Sequence, residues 1–338
     1  MSEVEGGIIN RKLQGEFVNT FIRQLKFHRE DFKNIGYMGG FTSIIDMGNF
    51  AITFNNDGVG TKTMIAEAVN KYDTLGIDCV AMNVNDAITV GSEPIAMVDY
   101  LAVNRMDDEM AKQLGTGFNV GAQMANISIV GGETAVLPDV VKHIDVSGAV
   151  IGIVQKNQII TGSNIKEGDI IIGLGSSGLH SNGFTTVRKI IEDNRIDLQD
   201  PFPGDSKKTY EVLLEPTRIY VREILDIMGI ITIKGMANIT GGGFKNITRM
   251  KDMKYIIDDP FEPQNVFVRL MEMGDLNYAQ MFEVFNMGTG FVLVIDEDEK
   301  VDVMNALKGK VPVKVLGHVE NGTGVEIPKY EVSLKGYY

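Results

Sequence analysis

The chain has one cysteine, four histidines and no apolar run of membrane-spanning length among its 338 residues. A single cysteine excludes an intramolecular disulfide and a thiolate metal cluster. Cys79 sits in Ile77-Asp78-Cys79-Val80-Ala81-Met82, which reads as a buried strand with the thiol as a small core residue. The histidines stand at 28, 143, 180 and 318, without ligand spacing, so zinc is disfavoured and any metal is expected to be Mg²⁺ or another oxygen-seeking ion. Neither end shows a basic segment followed by an apolar stretch and a small-residue cleavage site. The chain therefore reads as cytoplasmic, with no membrane partner. Basic residues are also in deficit: 32 Lys and Arg face 45 Asp and Glu, a formal net charge of −13. That balance opposes nucleic acid as a partner and obliges any phosphorylated ligand to find a local cluster of donors.

The length suggests two domains of similar size, and the composition, 44% hydrophobic and 23% charged, is globular. Residues 1–37 read as a helical lead-in, with Phe17, Val18, Phe21, Ile22 and Leu25 at helical spacing. Strands are expected at 50–54, 78–84, 95–103, 127–130 and 143–154, with helices near 61–73 and 107–125. A boundary falls within 155–168, dividing the chain into 38–155 and 156–338. The second part reads as a strand at 170–174, helices at 182–193, 208–228, 243–250, 263–273 and 297–307, and a strand at 290–295. The class is α/β or α+β.

Asp57-Gly58-Val59-Gly60-Thr61-Lys62 puts a carboxylate, two glycines, a hydroxyl and an ammonium in six residues after an apolar segment. Glycines let backbone N–H groups approach an anion, a carboxylate can hold a hard cation, and a lysine can neutralise phosphate. The spacing is not that of a Walker A loop. Asp86 in Asn83-Val84-Asn85-Asp86 and Glu133 in Gly131-Gly132-Glu133-Thr134 follow apolar segments in the same way. Each alone reads as a turn residue; together the three carboxylates form a candidate Mg²⁺ set. Gly173-Leu174-Gly175-Ser176-Ser177-Gly178 matches the dinucleotide-binding spacing, but no acidic residue closes a second strand about twenty residues on. His180, Ser181 and Asn182 stand at a helix entrance, where an anion is favoured, and read equally well as a cap. Thr240-Gly241-Gly242-Gly243 suggests a nest of N–H groups around a phosphate, or a close backbone crossing.

In order, Asp57–Lys62, Gly76–Asp86, Gly91-Ser92-Glu93-Pro94, Val130–Thr134, Gly175–Gly183, Pro216–Val221, Ile239–Phe244 and Phe285–Gly288 closely resemble phosphoribosylformylglycinamidine cyclo-ligase, also called aminoimidazole ribonucleotide synthetase. The resemblance runs from about Met38 to about Gly324. It implies a homodimer of two-domain subunits, with N-terminal strands forming a β-barrel at the interface. It also implies ATP with Mg²⁺ and a phosphorylated ribonucleotide, formylglycinamidine ribonucleotide, closed to aminoimidazole ribonucleotide. On the matching positions it assigns Asp57, Asp86 and Glu133 to Mg²⁺ and Gly58, Gly60, Thr61, Lys62 and Asn85 to ATP. His180, Ser181, Asn182 and Thr240–Gly243 would hold the substrate, with His180 also a candidate proton carrier. Residues 1–37 lack the family's usual opening, and only Gly6-Gly7 offers a loose counterpart. The rivals are a thiamine-phosphate kinase of the same superfamily and, on Gly173–Gly178, a dinucleotide oxidoreductase. The apolar Ile95–Val98 and Leu101–Val103 are expected to be buried, by a partner subunit or by helices of the same chain, with Asp99 between them.

Overall fold

The structure, a computed structural model, describes residues 4–5, 8–9, 11–27, 29–36 and 40–337. A lead-in holds β1 (Val4–Glu5), β2 (Ile8–Ile9) and α1 (Arg11–Ile22). The first large unit holds β3 (Ser43–Asp46), β4 (Phe50–Gly58), α2 (Thr63–Val69), α3 (Leu75–Ile88), β5 (Glu93–Val103), α4 (Asp108–Ala125), β6 (Ser128–Val136) and β7 (Asp145–Gln155). The second holds β8 (Ile170–Gly175), α5 (Phe184–Asp193), α6 (Thr209–Leu213), α7 (Val221–Met228), β9 (Ile233–Asn238), β10 (Lys254–Ile256), α8 (Asn265–Met273), α9 (Tyr278–Val284), β11 (Thr289–Ile295), α10 (Lys300–Leu307), β12 (Val313–Glu320), β13 (Gly324–Ile327) and β14 (Val332–Leu334). Gly6 and Gly7 lie outside the described residues.

The first unit is a five-stranded sheet, β3-β4-β7-β5-β6, antiparallel except where α4 carries β5 over to a parallel β6. Along β7, Val146, Gly148, Val150, Gly152 and Val154 are buried and the residues between them are not. That alternation puts one face under the helices and leaves the other open. The open face carries Phe54, Val98 and Tyr100, each more than 40% exposed, with Ile52, Ala149 and Ile151 partly exposed among them. Asp99 pairs with Gly148 and so belongs to the covered face. The sheet is not closed into a barrel.

Residues 78–84 are not a strand but the middle of α3. All of α3 except Ile77 is buried, so no one-sided stripe survives in the sequence to reveal a helix. Its close fit to α4 depends on glycine: a Cβ on Gly76 would stand 2.1 Å from the Phe118 nitrogen, and one on Gly117 2.2 Å from the Asp73 oxygen. Asp107 caps α4 by accepting from the Met110 N–H at 3.0 Å.

The second unit is a seven-stranded sheet, β14-β13-β10-β12-β8-β11-β9. The helix expected over 208–228 is two, α6 and α7, parted by an irregular stretch that includes Pro216. Residues 243–249 form a 3₁₀ turn rather than an α-helix. β8 is antiparallel to both its neighbours, β11 and β12, so the strand before Gly173–Gly178 belongs to no parallel βαβ unit. Those glycines serve packing: a Cβ on Gly173 would meet Leu316 at 2.6 Å, and one on Gly175 would meet Pro312 at 2.8 Å.

Candidate active site between the two sheets

The two units are fastened along α3, and the fastening explains much of the motif content. Asp78, Asn85 and Asp86, at i, i+7 and i+8, all meet the second unit. Asp78 Oδ1 accepts from the Thr217 N–H at 2.8 Å and the Thr217 hydroxyl at 2.7 Å. Asn85 donates to the Arg218 carbonyl at 2.8 Å and accepts from the Tyr220 N–H at 3.0 Å. The Asn238 side chain donates to Asp86 Oδ1 at 2.8 Å. Asn83 points the other way and holds Asp57 by its backbone, accepting from the Asp57 N–H at 3.0 Å and donating to its carbonyl at 3.1 Å. A buried helix of this kind thus presents Asp86 beside Asp57 at the end of β4.

These two carboxylates are the electrostatic centre of the cleft. Burial raises the Asp57 carboxyl above its ordinary range, although its Oδ1 accepts from the Gly58 N–H at 2.7 Å. Asp86 is pushed up to about 7, first by burial and then by the charge of Asp57. Arg249 acts on both in the opposite sense. A buried carboxylate whose ionisation is penalised further by a neighbouring carboxylate makes a site that favours a cation. Among the described residues no three His, Cys, Asp or Glu side chains form a metal cluster. Mg²⁺ needs none, because it binds through one or two carboxylates together with substrate phosphates.

Glu133 does not join them. It lies inside β6, not in a loop after a strand, and pairs with Tyr100, which pairs with Ser147, which pairs with Gly58. That row is one residue out of phase with Asp57, on the open face, and three strands away, about 14 Å.

Lys62 is turned into the fold. Its side chain is wholly buried, with Nζ 2.8 Å from Asp78 Oδ2 and donating to the Glu215 carbonyl at 2.8 Å. Burial lowers its pKa and Asp78 opposes that shift. Its charge is used inside the fold and is not presented to a phosphate. Asn85, with both ends of its amide bonded to backbone, is likewise a fastening.

The glycine loops do come together. Gly60 is exposed at φ +68, with open space where a Cβ would stand, and Thr61 Oγ1 lies 3.4 Å from Thr185 Oγ1 in the first turn of α5. His180, Ser181 and Asn182 precede that turn, just before the N-cap Gly183. Ser181 is bonded to Thr217 at 3.0 Å, whereas the buried Asn182 Nδ2 has no partner among the described residues. His180 is buried in the left-handed region, φ +61, and its Nε2 accepts from the Ser177 N–H at 3.3 Å. Burial, with the charges of Lys62 and Arg218, lowers its pKa to about 3, so the ring is neutral near neutral pH.

Thr240, Gly241 and Gly242 are partly exposed and directly follow Asn238 and Ile239 at the end of β9. Gly243 is required for a different reason. It has φ +53, and a Cβ there would stand 2.1 Å from the Phe282 carbonyl, so a close backbone crossing accounts for it. Lys245 is paired with Glu283, and Arg249 donates to the Gly40 carbonyl at 2.8 Å. Arg249, Asn238 and the Asp78–Thr217 pair were not singled out from the sequence as site residues. Reading 75–88 as a helix would have put Asp78, Asn85 and Asp86 on one side of it. A cavity of about 800 Å³ between α4 and the β5–β6 edge holds one carboxylate, Asp99, and none of these loops.

Two family descriptions match the chain: AIR synthase related protein, N-terminal domain, over residues 41–154, and its C-terminal domain over 166–328. A phosphoribosylformylglycinamidine cyclo-ligase from Thermoplasma acidophilum is 95% identical over all of both chains, and one from Thermoplasma volcanium is 83% identical over all of both. The fold is shared with hydrogenase maturation protein HypE in complex with ATP, at TM-score 0.64 and 14% identity, covering 87% of this chain and 86% of that one. It is shared too with thiamine-monophosphate kinase from Stenotrophomonas maltophilia, at TM-score 0.63 and 16% identity, covering 93% and 96%.

Proposed function

The chain belongs to the AIR synthase family, in which it is a C–N-forming cyclo-ligase of purine biosynthesis, and we propose that its reaction runs in the cleft between the two sheets. It uses ATP to close the imidazole ring of formylglycinamidine ribonucleotide, giving aminoimidazole ribonucleotide, ADP and phosphate. The likeness to the kinase is one of fold alone, and the cyclo-ligase relatives at 95% and 83% identity decide against that alternative.

The observation that carries the placement is the Asp57–Asp86 pair, two carboxylates whose ionisation burial penalises, Asp86 further by the charge of Asp57, beside an exposed glycine turn. Mg²⁺ held by Asp57 and Asp86 would offset charge on the triphosphate as the phosphoryl group transfers. Gly58, Gly60 and Thr61 would line the triphosphate with backbone N–H groups and a hydroxyl. Asn182 and Thr240–Gly242 would take the ribonucleotide, the Asn182 Nδ2 having no partner among the described residues.

In this reading the formyl oxygen attacks the γ-phosphorus and ADP leaves. The neighbouring amidine nitrogen then attacks the formyl carbon, and phosphate departs with the original formyl oxygen. An amide oxygen is a poor leaving group, and its phosphate ester is a good one. Holding both ends of one molecule in the cleft favours closure by proximity. The fastening of α3 to 217–220 keeps the two loop systems at a fixed separation, which that proximity requires.

A second chain enters through the open face of the five-stranded sheet. Phe54, Val98 and Tyr100 make an apolar surface, and two such faces packed together would form the barrel of a homodimer. Glu133 stands on that face and would meet the partner rather than its own Asp57 and Asp86. Use of ATP and a ribonucleotide as substrates supports a cytoplasmic location; among the described residues no helix is long and apolar enough to cross a membrane.

The test couples ADP detection to colorimetric detection of the aminoimidazole product. ADP release should depend on formylglycinamidine ribonucleotide, with one product per ATP. Turnover with thiamine phosphate and none with formylglycinamidine ribonucleotide would overturn the reading. Asp57→Asn and Asp86→Asn should each remove most turnover with the fold intact.

A further inference from the structure

Beyond β14 the chain returns to the cleft. The Tyr337 N–H donates to Thr248 Oγ1 at 2.9 Å, and Thr248 Oγ1 in turn donates to the Lys245 carbonyl at 2.9 Å. The Tyr337 ring lies against Gly242, where a Cβ would stand 2.6 Å from its Cε2. The same ring has the Arg249 guanidinium 5.0 Å from its centroid, and the Phe41 ring has it at 3.8 Å. Arg249 donates to the Gly40 carbonyl. One side chain from the far end of the chain therefore touches the triglycine loop and the arginine that ties this loop to the first unit.

A run of three glycines is costly to order when a ligand binds, because glycine has the most conformational freedom to lose. A ring packed on Gly242 removes part of that freedom in advance, and a preorganised loop binds more tightly. The guanidinium between two aromatic rings is similarly restrained. We propose that Tyr337 is a positioning residue: it clamps the Thr240–Gly243 loop and Arg249 over the cleft and so sets the affinity for the phosphorylated ribonucleotide. The proposal rests on the reading that this loop binds that substrate.

Tyr337→Ala and Tyr337→Phe separate the ring from the rest, because phenylalanine keeps both the ring and the backbone N–H. Hydrogen exchange of the Gly241–Gly243 amides, measured without substrate, should speed up in Tyr337→Ala and return to wild-type rates in Tyr337→Phe. In the coupled assay Tyr337→Ala should raise KM for formylglycinamidine ribonucleotide about tenfold with kcat within about twofold, the loss of one ordered residue's worth of preorganisation. Tyr337→Phe should restore KM. Unchanged exchange in the alanine variant overturns the clamp, and faster exchange with unchanged KM overturns its role in the site. Inactive wild-type enzyme would instead overturn the cyclo-ligase reading and leave the exchange result standing.

Discussion

Replacing Asp86 by asparagine removes a charge and keeps the shape. The amide oxygen can still accept from Asn238 Nδ2, now at 2.8 Å, so the hydrogen bond across the cleft survives. What changes is the cost of ionisation. The Asp86 carboxyl is raised from 3.8 to about 7 in the folded chain. A raised pKa means the unfolded state releases this proton first as pH rises. Stability associated with the group is therefore complete below pH 3.8 and is lost as pH climbs through 7. At 1.36 kcal/mol per pH unit, carrying Asp86 costs the fold about 4 kcal/mol at pH 8 and about 2 kcal/mol at pH 5. Asp86→Asn should then be more stable than the parent in urea unfolding, by several kcal/mol at pH 8 and by roughly half as much at pH 5. It should also be nearly inactive, because an amide is a poor Mg²⁺ ligand. A variant that is more stable and inactive is the expected signature of a strained ligand pair. Equal or lower stability at both pH values, or a gain that does not vary with pH, would refute the electrostatic account.

Lys62→Met should destabilise the chain by about 3–5 kcal/mol, because it leaves the buried Asp78 carboxylate without its cation. Loss of ATP turnover at unchanged unfolding midpoint would return Lys62 to the phosphate. The His180 imidazole resonances should stay fixed between pH 5 and 8 in an NMR titration, since its pKa lies near 3 and the neutral ring persists above that. Movement of those signals near pH 6.5 would make it a proton carrier again. Val98→Arg, on the open sheet face, should shift light scattering from dimer toward monomer, whereas Asp99→Arg acts on the covered face and should instead lower the unfolding midpoint.

The sequence made the motif loops legible because glycine and aspartate leave strong local marks. Gly60 needs a left-handed backbone in open space, and Asp107 caps a helix, both facts of single residues and their neighbours. The strand over 143–154 was likewise visible as an apolar segment of a few residues. α3 was not, because burial on all sides removes the polar stripe that distinguishes a helix from a strand.

Fold class, catalytic family and the chemical types at the cleft were determined by the sequence itself, since ordered motifs of this length are specific. The roles within the set were decided by tertiary structure. Spacing in the chain cannot tell that Lys62 meets Asp78 and the Glu215 carbonyl, that Asn85 spans to Arg218 and Tyr220, or that two strands, β7 and β5, part Glu133 from Asp57. A lysine in a glycine loop has the same composition whether its ammonium faces solvent or a buried aspartate. Only the packing of one unit on the other fixes which groups are desolvated and what they meet. That packing sets the charge each can carry.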